Sequence, residues 1–171
     1  MLSRMVIAAI ALGSNLGKRQ AALRAAAERL RSLPASHVMA LATFRQTEPV
    51  DAPPGSPAFL NSAVIVETEL SPETLLDHLL QIERGLGRTR DPATLNAPRT
   101  IDLDLLLHGN TVLSSSALTL PHPRMHLRLF VLEPLAEIAP DLVHPTQHKT
   151  IRQLLMQLQA STPQPDNIET A

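Results

Sequence analysis

A chain of 171 residues, 44% hydrophobic and 18% charged, with a formal net charge of -1, has the length and apolar content for one globular core. That charge balance excludes a general nucleic-acid surface and leaves room for a local basic site, and no uncharged apolar run reaches the ~18 residues of a membrane span. With no cysteine there is no disulfide framework, which suits a cytoplasmic location.

Met1 to Leu12 carries one early charge and a short apolar stretch, in the manner of a secretory signal. The apolar part runs straight into Gly13-Ser14-Asn15-Leu16-Gly17 and a helical pattern, with no separate cleavage site, so Val6 to Leu12 reads as a buried strand. Leu23, Ala26, Ala27, Leu30 and Leu33 form the apolar stripe of the first helix, which Pro34 ends. Strands over His37–Phe44 and Asn61–Glu67 follow, separated by the proline-rich stretch Glu48–Pro57, which is unable to join a central sheet and reads as an exposed loop. Ser71 as N-cap and Pro72 at the first helical position open a second helix with Leu75, Leu76, Leu79, Ile82 and Leu86, stopping near Gly85 or Gly87.

A second irregular loop, Arg88 to Pro98, delivers the chain to a strand through Asp102 and Asp104. Short strands near Thr111–Leu113 and Ala117–Leu120 are expected, then helices over Leu127–Ile138, kinked or capped at Pro134, and Thr150–Gln159. The polar end reads as a disordered tail, 161–171, behind one domain spanning 1–160. Hairpin-like neighbours rather than strict strand-helix alternation favour an α+β sheet layered with helices. His37, His78, His108, His126, His144 and His148 lack the mutual spacing of a zinc site and read as surface or ordinary polar residues.

Chemistry concentrates in Arg99-Thr100-Ile101-Asp102-Leu103-Asp104-Leu105. Strand side chains alternate with period two, so Asp102 and Asp104 share one face while Ile101, Leu103 and Leu105 fill the other. Two adjacent carboxylates repel unless a cation sits between them, and hard oxygen ligands suit magnesium carrying a nucleotide's phosphates. Lys18 and Lys149 are the only lysines among 15 basic residues, and Arg84, Arg88, Arg90, Arg99, Arg124 and Arg128 flank the aspartate strand. Guanidinium forks match phosphate oxygens, so the cluster has the makeup of a polyphosphate clamp. An acidic surface strand beside solvated arginines would carry the same residues; Pro98, which fixes the turn delivering Arg99 toward the aspartates, favours the clamp.

Ala97-Pro98-Arg99-Thr100-Ile101-Asp102-Leu103-Asp104-Leu105-Leu106 resembles the signature of the 6-hydroxymethyl-7,8-dihydropterin pyrophosphokinases, folate-pathway enzymes that transfer pyrophosphate from ATP. Ile10-Ala11-Leu12-Gly13-Ser14-Asn15-Leu16-Gly17, Phe59-Leu60-Asn61, Glu83 with Arg88 and Arg90, and Pro121-His122 through Arg128-Leu129-Phe130 resemble further motifs of that family, in order, between about Ile7 and Leu158. The resemblance implies a ferredoxin-like, mainly antiparallel sheet in α-β-α layers. It implies Asp102 and Asp104 as ligands of two magnesium ions and, with Arg88 and Arg99, as the catalytic set. Glu83, Arg88, Arg90, Arg99, His122 and Arg128 are implied as ATP contacts, and Gly13, Thr47, Val50, Phe59, Asn61, Asp102 and Phe130 as pterin contacts. Glu83 can equally pair with a neighbouring arginine in a structural role. Asn96 and Ala97 stand where many members carry tryptophan and glycine, in a loop, 88–98, that the resemblance makes a lid over ATP.

The composition agrees with a scarce-aromatic ring pocket. The chain has no Trp or Tyr and three phenylalanines, of which Phe59 and Phe130 match stacking positions while Phe44 reads as core filler. A sugar or nucleotidyl transferase using Asp-x-Asp would need Gly-rich βα turns that the chain lacks. A noncatalytic binding module would not need the whole charge-neutralising set. The expected partners are therefore ATP and the hydroxymethylpterin, with no nucleic acid or membrane, acting on a monomer.

Overall fold

The computed structural model describes residues 4–49, 53–88 and 99–162. Val50, Arg90, the 89–98 part of the expected lid and the tail beyond Thr162 lie outside the described residues.

Alternation along three strands decides the architecture. In β1 (Val6–Ser14), Ala8, Ile10 and Leu12 enter one core while Ala9 and Ala11 face a second. β4 (Phe59–Thr68) does the same with Val64 and Val66 against Ala63 and Ile65, and β5 (Asp102–His108) puts Leu103 and Leu105 into the first core. β1 pairs antiparallel with both β4 and β5, and β2 (Ser36–Leu41) and β3 (Arg45–Thr47) each pair antiparallel with β4. Among the described residues this makes a five-stranded sheet in the order β2-β4-β1-β5, with β3 beside β4. A register shift between Ala9 and Ile10 leaves Leu106 as an extra residue of β5. The bulge sends Leu106 and Leu107 to the second core after Leu105 has entered the first.

Two helices close the first face. α1 (Arg19–Arg31) is alanine-rich and buries Leu23, Ala26, Ala27 and Leu30. α2 (Pro72–Gly85) starts where Ser71 accepts a hydrogen bond from the Thr74 amide at 3.2 Å, with Pro72 at the first turn, and buries Leu75, Leu79 and Ile82. The second face is covered by α3 (Leu129–Ile138) and α4 (Ile151–Ser161), which bury Val131, Leu132, Leu135, Ile151 and Leu154 against Ala9, Ala63, Ile65, Leu106 and Leu107. Thr150 caps α4 in a reciprocal capping box with Gln153.

Several expectations need correction. His37–Phe44 is not one strand: β2 shifts register between Val38 and Ala40, and Ala42–Phe44 separate it from β3. There the Thr43 amide leaves the sheet for the Glu137 carboxylate, a partner that local sequence does not reveal. The third helix begins at Leu129, after a separate 3-10 turn at Met125–Leu127, and Pro134 lies inside it, where the missing N–H deprives the Phe130 carbonyl of its usual helical partner. The short strands expected near Thr111–Leu113 and Ala117–Leu120 fall at β6 (Leu113–Ser114) and β7 (Thr119–Leu120), which pair with each other, whereas the hairpin of β8 (Val143–His144) and β9 (Lys149–Thr150) was not anticipated. Of the histidines read as surface or ordinary polar residues, His108 and His144 are buried polar ones, His108 Nε2 lying 2.8 Å from the Leu70 carbonyl oxygen. Among the described residues no helix is long and apolar enough to cross a membrane.

Candidate functional site

The second face of the sheet is apolar where α3 and α4 lie on it and polar beyond. Strand register sets Asn61, Gly13 and Asp102 in one row across β4, β1 and β5, with Ala63, Ala11 and Asp104 in the next. A side chain at Gly13 would bring its Cβ to 3.1 Å from Asn61 Oδ1 and 3.7 Å from Phe59, so glycine keeps the middle of the row open. Asn61 Nδ2 donates to Thr47 Oγ1 at 2.5 Å, and Thr47 pairs with Phe59 in the β3–β4 register. This gives a neutral wall of Phe59, Asn61 and Thr47, with Phe130 from the first turn of α3 also facing the same cavity of about 300 Å³.

The charged half of the cavity is built around Asp102. Its Oδ1 accepts from Arg88 Nη1 at 2.5 Å and its Oδ2 from Arg99 Nη1 at 3.0 Å. The same Arg88 nitrogen donates to Glu83 Oε1 at 2.5 Å, and that oxygen also accepts the Leu103 amide at 2.8 Å. Glu83 is thus a buried brace between the end of α2, Arg88 and the aspartate strand, and it does not line the cavity. Burial works against the Arg88 charge, yet Asp102 and Glu83 outweigh it and hold its pKa above the ordinary value. Arg99 is fixed by Asn15, whose Oδ1 accepts the Arg99 amide at 2.8 Å and whose own amide donates to the Arg99 carbonyl at 3.1 Å. Arg99 Nε is buried with no hydrogen-bond partner among the described residues, a donor suited to an anion in the cavity.

Asp104 stands one row along. Burial first, then the charges of Asp102 and Glu83, push its pKa up to about 7, and Arg128 and Arg88 only partly offset them. Such crowding of acids fits a cation. Among the described residues no group of three or more His, Cys, Asp or Glu could hold a metal. Two carboxylates with phosphate and water oxygens completing the shell match magnesium's habit rather than a zinc cage.

His122 comes from the segment between β7 and α3, where its amide donates to the Leu106 carbonyl at 2.9 Å. Burial, then the Arg128 and Arg124 charges, lower its pKa, so the ring is neutral near pH 7. Its Nδ1 accepts the Arg124 amide at 3.2 Å, which assigns the proton to Nε2 and makes the ring a neutral donor. Arg128 stands at the N-cap position of α3, with its guanidinium carbon 5.5 Å from the Phe130 ring centre, and Arg99 lies 6.0 Å from that of Phe59. Each ring of the neutral half therefore meets a cation of the charged half.

Of the expected site residues, Gly13, Thr47, Phe59, Asn61, Arg88, Arg99, Asp102, Asp104, His122, Arg128 and Phe130 line this one cavity. Glu83 stands behind it. Arg124, one of the arginines expected to flank the aspartate strand, lines it too, whereas Asn15, Glu48 and Val131 were missed. Asn15 had a signal, an asparagine in a glycine-flanked turn, which commonly bonds neighbouring backbone.

Residues 9–140 match the family model described as 7,8-dihydro-6-hydroxymethylpterin-pyrophosphokinase. The 2-amino-4-hydroxy-6-hydroxymethyldihydropteridine pyrophosphokinase of Haemophilus influenzae is 43% identical over 82% of this chain and 86% of its own. The Bacillus subtilis protein of that name is 46% identical over 77% of each. In the solved structures, Plasmodium falciparum HPPK-DHPS wild type with pteroate superposes with a TM-score of 0.69 at 13% identity, over 90% of this chain and 44% of that longer one, a likeness of fold.

Proposed function

The chain belongs to the 7,8-dihydro-6-hydroxymethylpterin-pyrophosphokinase family, and on that basis we propose that it transfers pyrophosphate from ATP to the hydroxymethyl group of 6-hydroxymethyl-7,8-dihydropterin. The products are the pterin pyrophosphate and AMP, in a step of folate biosynthesis. The observation that carries this reading is the continuity of a neutral ring pocket with a guanidinium-carboxylate cluster in one cavity, joined across the row Asn61, Gly13 and Asp102.

In this reading the pterin lies between Phe59 and Phe130, with the Asn61 amide meeting the ring's polar edge. The hydroxymethyl oxygen gives up its proton to solvent and bonds to the β-phosphorus as the bond from that phosphorus to the oxygen bridging toward the α-phosphorus breaks, and AMP leaves with that oxygen. Asp102 and Asp104 would hold two magnesium ions, which when bound neutralise phosphate charge and acidify the hydroxymethyl group. Arg88 and Arg99, pre-oriented by Glu83, Asp102 and Asn15, face the charge that develops on the phosphates, so little reorganisation is needed at the moment of transfer. Neutral His122 donates from Nε2, and Arg128 supplies a further cation to the nucleotide. No side chain is assigned as a general base. Val50 and Arg90 enter the proposal by resemblance alone.

The strand order β2-β4-β1-β5, antiparallel throughout with helices between β1 and β2 and between β4 and β5, supports reading the fold as ferredoxin-like in one domain.

The test is direct. Purified protein supplied with magnesium, ATP and the reduced hydroxymethylpterin should release AMP, and formation of ADP, or no turnover by folded protein, overturns the reaction. Asp102→Asn and Arg99→Ala should each slow AMP formation by about a thousandfold, the scale expected when a group serving the transition state is lost.

A further inference from the structure

Between β2 and β3 Ala42 stays bonded to β4, its amide donating to the Ala63 carbonyl at 2.9 Å, and Thr43 then turns away from the sheet to a partner on α3. Glu137 Oε1 accepts the Thr43 amide at 2.9 Å, and Oε2 accepts Thr43 Oγ1 at 2.9 Å and Arg45 Nη2 at 2.8 Å. One carboxylate thereby gathers three donors across a sequence separation of 94 residues to Thr43.

Local preference opposes an acid at this position. Glu137 lies in the last turn of α3, where the helix presents partial negative charge, and no basic residue in that turn offsets it. A side chain that breaks a local rule while making three tertiary bonds points to a role for those bonds. The Thr43 amide first, then the Arg45 guanidinium, keep the carboxyl below its ordinary pKa, so it is ionised at neutral pH.

What the bonds join is specific. α3 brings Phe130 to the cavity in its first turn, and Phe130 and Glu137 are seven residues apart, on one side of the helix. β3 brings Thr47, which holds the Asn61 amide, while Arg45 pairs with Asn61 and Thr47 with Phe59 in the register with β4. The helix otherwise rests on Ala9, Ala63, Ile65, Leu106 and Leu107 and against α4 through apolar contacts, which set its sliding and rotation by packing rather than by directional bonds. A charged, three-pronged tie at its far end fixes both.

We propose that Glu137 is a positioning residue for the pterin half of the site: by tying the end of α3 to the break between β2 and β3, it sets the gap between Phe130 and the Phe59, Asn61 and Thr47 wall. Glu137 touches no substrate. The proposal rests on the pterin reading above and deepens it.

Wild type, Glu137→Ala, Glu137→Gln, Arg45→Ala and the Arg45→Ala/Glu137→Ala double variant are compared by KM for the pterin, KM for ATP and kcat, with folding checked by thermal melting. A pterin titration followed by fluorescence, which needs no turnover, accompanies the kinetics. Glu137→Ala should raise the pterin KM about tenfold while the ATP KM stays within about twofold, as for a misplaced binding wall. Glu137→Gln, keeping an acceptor for Thr43 without the charge toward Arg45, should fall between. Arg45→Ala should weaken pterin binding in the wild-type background and have no further effect once Glu137 is gone. Equal rises in both KM values, or no change in either, in folded variants overturn the proposal. If Glu137→Ala does not fold, Glu137→Gln and Arg45→Ala carry the same comparison. A wild type that binds the pterin tightly yet forms no AMP overturns the reaction alone; one that neither binds nor reacts overturns both.

Discussion

On the face of the sheet beneath α1 and α2, Ile10, Leu12, Val64, Val66, Leu103 and Leu105 are buried in one cluster with Leu23, Leu30, Leu75 and Leu79, whereas on the opposite face the same three strands carry Gly13, Asn61, Asp102 and Asp104. Along β1, β4 and β5 up to the bulge at Leu106 the two faces differ by one step of the chain. Leu103 and Leu105 stabilise the fold by burial, worth about 1.5–3 kcal/mol for a leucine side chain, while the interleaved aspartates crowd acid against acid where burial disfavours charge. Stability and chemistry are therefore assigned to alternate residues, and the open face carries an electrostatic strain of the kind that a bound cation would relieve.

The largest effect that tests this contrast is at Asp104. Asp104→Asn should cut kcat/KM by about a thousandfold, about 4 kcal/mol of transition-state stabilisation. The same change should raise the melting temperature of the ligand-free protein, because it removes a charge held against burial, Asp102 and Glu83. In a domain of this size each kcal/mol moves the midpoint by about 2–4 °C, well within calorimetric reach. A fall in melting temperature would mean that the acids are not in conflict in the free protein.

The closed face should answer in the opposite sense. Leu30 is fully buried on α1 and lines no part of the cavity, so Leu30→Ala should destabilise the fold by about 2–5 kcal/mol through lost burial and a residual void. Assayed well below its melting temperature, this variant should keep the wild-type kcat and both KM values. Urea denaturation beside steady-state kinetics makes the comparison, and a kcat lowered in proportion to stability would show that the two faces are coupled rather than divided.

These two faces were unequally legible in the sequence. The closed one is written in short-range signals: the leucine spacing of α1 and α2, Ser71 with Pro72, and the alternation that separates Leu103 from Asp102. The charged half of the site was legible for the same reason, since Arg99, Asp102 and Asp104 are neighbours on one strand and its approach. The ring pocket was not, because Gly13, Thr47, Phe59, Asn61 and Phe130 meet only through pairing across the sheet, and resemblance to a family supplied them. Glu83 had two readings because a glutamate before arginines is ordinarily a solvated ion pair; here the Leu103 amide draws it under β5. The break after β2 depends on Glu137, and the β8–β9 hairpin has strands too short for an alternation to register. For Glu83 and Thr43 the deciding partner lies far along the chain, 20 and 94 residues away.

The smallest predicted effect lies in the α3 and α4 layer, where a histidine gives the second face a dependence on pH away from the cavity. His144 is buried, with Nδ1 accepting from the amides of Thr146 at 3.4 Å and Gln147 at 3.2 Å, and its ring meets that of His126 edge-on at 5.9 Å. Burial first, and the neighbouring His126, hold its pKa below the ordinary value. The unfolded chain, with an ordinary value of ~6.5, takes up the proton more readily, so the stabilising difference is fully present above ~6.5 and is lost as the pH falls through the lowered folded value. His144→Asn retains an acceptor for those amides and cannot titrate. Its urea midpoint should fall less than that of the wild type between about pH 7 and pH 5, the range in which ordinary histidines titrate. Parallel declines would assign the pH dependence to other groups, because the neutral ring is what the Thr146 and Gln147 amides require and protonation at Nδ1 breaks both bonds.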